Sequence, residues 1–130
     1  MKNNYRFIAV LEQEKESFGV YFPDLDGCIT GGDSLDEAIE NAKEVLKLHL
    51  FTMEQDGDII PEPCKLTDLH LENNEIPIIT EVYMKAFREK MNEKFIKKTL
   101  SIPNWLNTEA EQKGINFSKT LQNALIKELR

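Results

Sequence analysis

The chain has 130 residues, 41% hydrophobic and 30% charged, which suits one folded domain, or a domain of ~80–100 residues with a small appendage, and excludes a wholly disordered chain. No apolar run approaches the ~18–20 residues of a membrane span, and MKNNYRFIAVLEQEKE lacks the apolar core and cleavage site of a signal peptide, so the expected address is the cytoplasm, with no membrane partner. The net charge of −7 conceals a division: residues 1–84 carry six Lys and Arg against eighteen Asp and Glu, and residues 85–130 carry ten against five. An acidic body repels nucleic acid and a basic tail attracts it, so the two parts are expected to have different partners.

Tyr5–Leu11 (YRFIAVL) has almost no polar alternation, as expected of a strand covered on both faces. Ser17–Phe22 places Phe18, Val20 and Phe22 on one face at period two and is stopped by Pro23. Asp24–Gly27 makes a turn and Cys28–Gly31 returns, so three strands form an antiparallel meander. Ser34 and Glu37 then fit a capping box. Behind it Leu35, Ala38, Ile39, Ala42, Val45, Leu46, Leu50 and Met53 recur every three or four residues, the pattern of one helix face. Gly57 suits the left-handed residue past the helix end. Residues 58–75, with Pro61 and Pro63, read as a connection, and Ile76–Tyr83 as a fourth strand with Pro77 at its start or edge. Lys85–Lys94 reads as a short basic helix with Ala86, Phe87 and Met91 on one side.

The last third has another plan. Phe95–Ile102 is extended up to Pro103, which suits the first turn of a helix running to Gly114. A second helix starts around Asn116 or Ser118 and carries Phe117, Leu121, Ala124, Leu125 and Leu129 inward. Strand–helix–helix in so short a segment buries too little alone, and its strand lacks a partner, so pairing with a second copy of the chain is expected.

Catalysis finds little support in the residues. Asp24, Asp26, Asp33 and Asp36 cluster at turns and a helix start, where aspartate is favoured without any chemistry. Cys28, Cys64, His49 and His70 show no metal-ligand spacing, and Gly31-Gly32 suits a tight turn better than a phosphate cradle. The expectation is no enzyme, no metal and no cofactor.

Tyr21–Leu46 carries a resemblance. Phe22-Pro23-Asp24-Leu25, Gly27-Cys28, Gly32-Asp33, and Glu37-Ala38 with Asn41-Ala42 resemble the N-terminal signature of the HicB family of antitoxins; Asp26 departs from the proline often found before the glycine. The resemblance spans roughly residues 5–84. It implies a partial RNase H-like βββαβ domain that neutralises HicA, a small ribonuclease toxin. The C-terminal third is similar to a ribbon–helix–helix DNA-binding module, with Lys98 departing from the usual apolar type. The family joins its first domain to this module or to a helix-turn-helix, and the strand before Pro103 favours the former.

Two antiparallel copies of Phe95–Ile102 would form a ribbon that fits the major groove of DNA. Lys98, Leu100 and Ile102 would point to the core, and Lys97, Thr99 and Ser101 to the bases. Asn116, Phe117 and Ser118 would offer free backbone N–H groups to a phosphate, with Lys119 beside them. The expected protein is therefore α+β: a toxin-neutralising domain at 1–84, a linking helix at 85–94, and a ribbon–helix–helix dimerisation and DNA-binding module at 95–130. Its expected role is that of a type II antitoxin that binds a HicA-like mRNA-cleaving toxin and, as a homodimer or higher oligomer, represses its own operon at operator DNA. The alternatives are a stand-alone regulator without a toxin and, more remotely, a metal-dependent nuclease.

Overall fold

An uninterrupted apolar run makes Asn4–Gln13 the central strand, β1, of the structure, a computed structural model that describes residues 2–92 and 95–130. β2 (Phe18–Tyr21) pairs with β1 antiparallel, and β3 (Ile29–Gly32) pairs with β2 in the same sense, which is the expected meander. β4 (Glu75–Tyr83) adds to the other side of β1, also antiparallel, and the sheet order is β3-β2-β1-β4. Phe7, Ala9 and Leu11 of β1 are buried, and so are Ile8 and Val10 between them, so this strand is covered on both faces.

α1 (Leu35–Asp56) begins where Ser34 Oγ accepts the Glu37 N–H at 3.1 Å, one half of the expected box. It ends at Gly57, whose φ of 74° lets its N–H turn back to the Glu54 and Met53 carbonyls. The fully buried stripe is Ala38, Ala42, Leu46 and Leu50, which packs on Phe7, Ala9, Leu11, Val20 and Val82 of the sheet. Leu35, expected on this stripe, is exposed. Close approach explains the small residues: a Cβ on Gly32 would lie 2.7 Å from the Ala38 backbone nitrogen.

β3 ends beside the start of β2, and β4 starts beside the end of β1, at the same end of the sheet. The chain therefore descends as α1 and must climb back before β4 can begin. Residues 58–74 make that return, with Ile60 against the core and a single 3-10 turn at Leu66–Asp68. Asp24 Oδ2 accepts the Cys64 N–H at 2.9 Å and ties the return to the β2–β3 turn.

α2 (Met84–Met91) follows β4 directly. Met84 is buried, and the Phe87 ring stands edge-on to Phe51 at 5.9 Å. Arg88 donates to both Glu54 oxygens at 3.0 and 2.7 Å, and also to Asn3 Oδ1 and the Lys2 carbonyl. The helix expected to link two parts is thus clamped to α1; residues 93 and 94 of that expected segment lie outside the described residues. The chain divides into two compact units, 1–94 and 95–130.

In the second unit α3 (Asn104–Gln112) and α4 (Phe117–Leu129) follow an unpaired segment, residues 95–103. Pro103 occupies the N-cap of α3 (φ −57°, ψ 142°) and not its first helical position. Gly114, at φ 66°, terminates α3, with its N–H on Glu111 O and the Ile115 N–H on Ala110 O. The described residues form an α+β fold with a four-stranded antiparallel sheet and four α-helices.

Candidate functional site

Alternation along residues 97–102 sorts their side chains. Lys98, Leu100 and Ile102 line one groove together with Phe117 and Leu121 of α4. Lys97, Thr99 and Ser101, the expected base readers, are exposed and stand outside that groove. Lys98 brings its aliphatic stem to the apolar side, which a long cation tolerates when its head reaches water.

Asn116 is the N-cap of α4, and its side chain accepts the Lys119 N–H at 3.0 Å. That bond uses the Lys119 N–H, which lies next to the Asn116–Ser118 donors expected to face a phosphate and is not one of them. Ser118 and Lys119 are exposed, whereas Phe117 joins the apolar groove with Ser118 beside it. The expected set thus divides: Lys97, Thr99, Ser101, Ser118 and Lys119 are presented to solvent, Asn116 caps, and Phe117, itself exposed, lines the groove.

Among the described residues of this unit only Ala110 is buried. Trp105, Leu106, Leu121 and Leu125 are exposed, and Phe95 is 82% so. α4 has the apolar spacing of a core helix but no core within one chain.

The first unit shows what the signature residues do. Asn41 Nδ2 donates to the Gly31 carbonyl at 2.8 Å, joining α1 to the outer strand of the sheet. Ala38 and Ala42 permit the close approach over Gly32, and Leu25 and Cys28 are core residues. Burial pushes the Cys28 thiol up to about 11, so it stays protonated and unreactive at neutral pH. Cys64 is also raised, first by burial and then by its Asp24 neighbour. Among the described residues no group of three or more His, Cys, Asp or Glu side chains is arranged to hold a metal ion.

Acidic surface is what this unit offers a partner. An open groove beside α1 is lined by apolar residues that include Val45, Met53 and Pro61 and by the carboxylates of Asp24, Asp26 and Asp58, with no Lys or Arg. On the sheet face away from α1, Tyr21 OH donates to Glu75 at 2.8 Å; burial first, and this bond second, push the tyrosine up to about 12. Glu81 on the same face accepts from Tyr83 and Arg6, and these two bonds hold its carboxyl below the ordinary range. Sequence reasoning assigned no role to Arg88, because nothing in a run of basic residues marks which one is buried. Asn41 was visible within the motif, but its bond to β3 is a tertiary fact.

Comparison with known proteins places the chain. Residues 6–125 match the family described as HicB-like antitoxin of bacterial toxin-antitoxin system. A 14.9 kDa protein from the rep–hol intergenic region of Haemophilus phage HP1 is 36% identical over 52 residues, 40% of this chain and only 39% of the phage protein. A UPF0150 protein of Helicobacter pylori is 38% identical over 48 residues, 37% of this chain and 67% of that protein. Among solved structures, a toxin–antitoxin complex from Streptococcus pneumoniae aligns over 96% of this chain and 99% of its own, at 22% identity and a TM-score of 0.61. The Burkholderia pseudomallei antitoxin HicB aligns over 98% of this chain and 97% of its own, at 20% identity and a TM-score of 0.52. These two likenesses establish a shared fold, and the family match spans nearly the whole sequence: this chain belongs to the HicB-like antitoxins of bacterial toxin–antitoxin systems.

Proposed function

We propose that the acidic first unit binds a basic HicA-like ribonuclease toxin and blocks its RNA-cleaving site, while a homodimer built through the second unit binds operator DNA and represses the operon. The observation that carries this reading is the division of charge between the two units. Residues 1–94 carry ten Lys and Arg against twenty Asp and Glu, and residues 95–130 carry six against three. Opposite potentials speed the encounter of an acidic antitoxin with a cationic toxin, and a basic module is drawn to phosphate. Membership of an antitoxin family supports the toxin partner.

The second unit is read as a ribbon–helix–helix half-module. Two antiparallel copies of residues 95–102 would supply each other's missing strand, and the groove lined by Leu100, Ile102, Phe117 and Leu121 would become part of a shared core. Lys97, Thr99 and Ser101 would then face the major groove. The first unit is read as a partial RNase H-like domain that binds without catalysing; Asp24 is engaged by the Cys64 N–H in a structural tie.

Co-expression with a HicA-like toxin tests the reading. Growth is expected to recover, the two proteins to co-purify, and a promoter fragment of the operon to be retarded in a gel. Retardation with unrelieved toxicity would identify a stand-alone regulator, and metal-dependent RNA cleavage by the pure chain a nuclease; either overturns the antitoxin mechanism.

A further inference from the structure

The two ends of the β1–β4 ladder reveal which main-chain groups of β4 are unused. Gln13 N–H donates to Asn74 O at 2.9 Å, and Met84 N–H to Asn3 O at 2.6 Å. Bonded pairs alternate along antiparallel strands, so Ile76, Ile78, Thr80 and Val82 bond to β1. The N–H and C=O groups of Glu75, Pro77, Ile79, Glu81 and Tyr83 point the other way, to the free edge.

The first half of that edge is closed. Glu75 N–H bonds to Glu72 O at 3.1 Å, and Pro77 has no N–H to offer. In the second half, the N–H groups of Ile79, Glu81 and Tyr83 and the carbonyls of Ile79 and Glu81 meet no main-chain partner among the described residues. The opposite edge of the sheet, β3, has four residues; its Gly31 carbonyl is taken by Asn41 and its Ile29 N–H by Gly27 O. On β4 the stretch from Ile79 to Tyr83 is therefore left able to accept a strand, and apolar side chains flank it: Ile79 is 72% and Tyr83 63% exposed, with Glu81 between them. Sheet edges of this kind are templates for strand addition unless charge, proline or a cover blunts them.

We propose that this edge, from Ile79 to Tyr83, receives an extended segment of a cationic protein partner as a fifth strand; the partner is the toxin of the proposed function, on which this inference rests. Charge selects the occupant. The same sheet face carries Glu12, Glu75 and Glu81, and Arg6, already paired with Glu81, is the one cation in the four strands. A second copy of this unit would bring like charge, and a twofold pairing centred on Glu81 would set that carboxylate against itself. A strand alternating apolar residues with Lys or Arg fits Ile79, Glu81 and Tyr83.

Amide hydrogen exchange on the full chain, alone and with a co-expressed HicA-like toxin, tests the proposal. The Ile79, Glu81 and Tyr83 amides are expected to exchange rapidly in the free chain and at least about tenfold more slowly in the complex. Ile79→Pro removes an outward donor without touching the β1 ladder, so it is expected to weaken toxin binding about tenfold while circular dichroism is unchanged. A tight complex with these three amides unprotected overturns the edge and leaves the toxin reading intact. Failure of the toxin to bind at all overturns both. Protection that develops with rising concentration of the chain alone assigns the edge to a second copy and also overturns the proposal.

Discussion

In residues 1–94 the apolar side chains of β1, α1 and β4 meet one another, whereas in residues 95–130 those of α3 and α4 meet solvent in the single chain. The two units share local devices, since Ser34 caps α1, Asn116 caps α4, and both helices have a periodic apolar face. What separates them is closure. A sheet with a helix across it buries Leu46 and Leu50 completely, while two short helices and an unpaired segment leave Leu121 and Leu125 half in water. A closed core gives a unit whose stability is its own; an open one that a second molecule completes, as proposed for residues 95–130, has a stability that depends on concentration.

The largest effect that tests this contrast lies in the first unit. The Arg88 and Glu54 side chains are 16% and 5% exposed and bonded at 2.7 Å, so Arg88→Met strands a buried carboxylate. A loss of about 3–5 kcal/mol is expected in urea unfolding, with much of it recovered when Glu54 is replaced by Met as well. Equal stability of the single and double variants would show that α2 is not held by this pair.

Leu46→Ala comes next, with an expected cost of about 2–5 kcal/mol that does not depend on protein concentration. Leu121→Ala in α4 is expected instead to lower a melting transition that shifts with dilution. If the Leu121→Ala transition is independent of concentration, the second unit is closed within one chain and the comparison fails.

A smaller effect concerns the exposed face of the second unit. Lys97→Ala is expected to weaken specific operator binding by about 1–3 kcal/mol for each base that the lysine reads. Lys119→Ala is expected to weaken all DNA sequences alike and to flatten the salt dependence. Operator titrations at two salt concentrations separate the two. A folded Lys97→Ala, Thr99→Ala, Ser101→Ala variant that binds at full affinity would rule out reading by this segment.

The smallest expected effect is a pH dependence confined to the first unit. Tyr21 titrates at about 12 in the folded chain against an ordinary value of 10.0. Between those values the unfolded chain has lost the proton that the folded one keeps, so stability falls as pH rises through this window. Alkaline unfolding of the wild type should therefore be steeper between pH 10 and about 12 than that of Tyr21→Phe. Equal slopes would show that Tyr21 is not held in solution by the burial and the Glu75 bond that raise it.

Much of the architecture was legible in the residues. The uninterrupted apolar run of β1, the two-residue period of β2, the Ser34 start and Gly57 end of α1, and the Gly114 stop of α3 are local signals, each set by a residue's own backbone and side-chain preferences. The same holds for the division of charge and for the alternation that places Lys97, Thr99 and Ser101 opposite Leu100 and Ile102. Long-range geometry decided the rest. Proline at position 77 signalled an edge, but only the register with β1 shows that its missing donor points outward and that the open stretch begins at Ile79. Phe87 and Arg88 looked like parts of a linking helix until Phe51 and Glu54, more than thirty residues earlier in the chain, proved to be their partners. Pairings across such separations leave no mark in a local window, because periodicity reports which face of an element is apolar and not what that face will meet. For the same reason α4 reads as a core helix from its sequence alone, and only the tertiary structure shows that its apolar face stays exposed in the single chain.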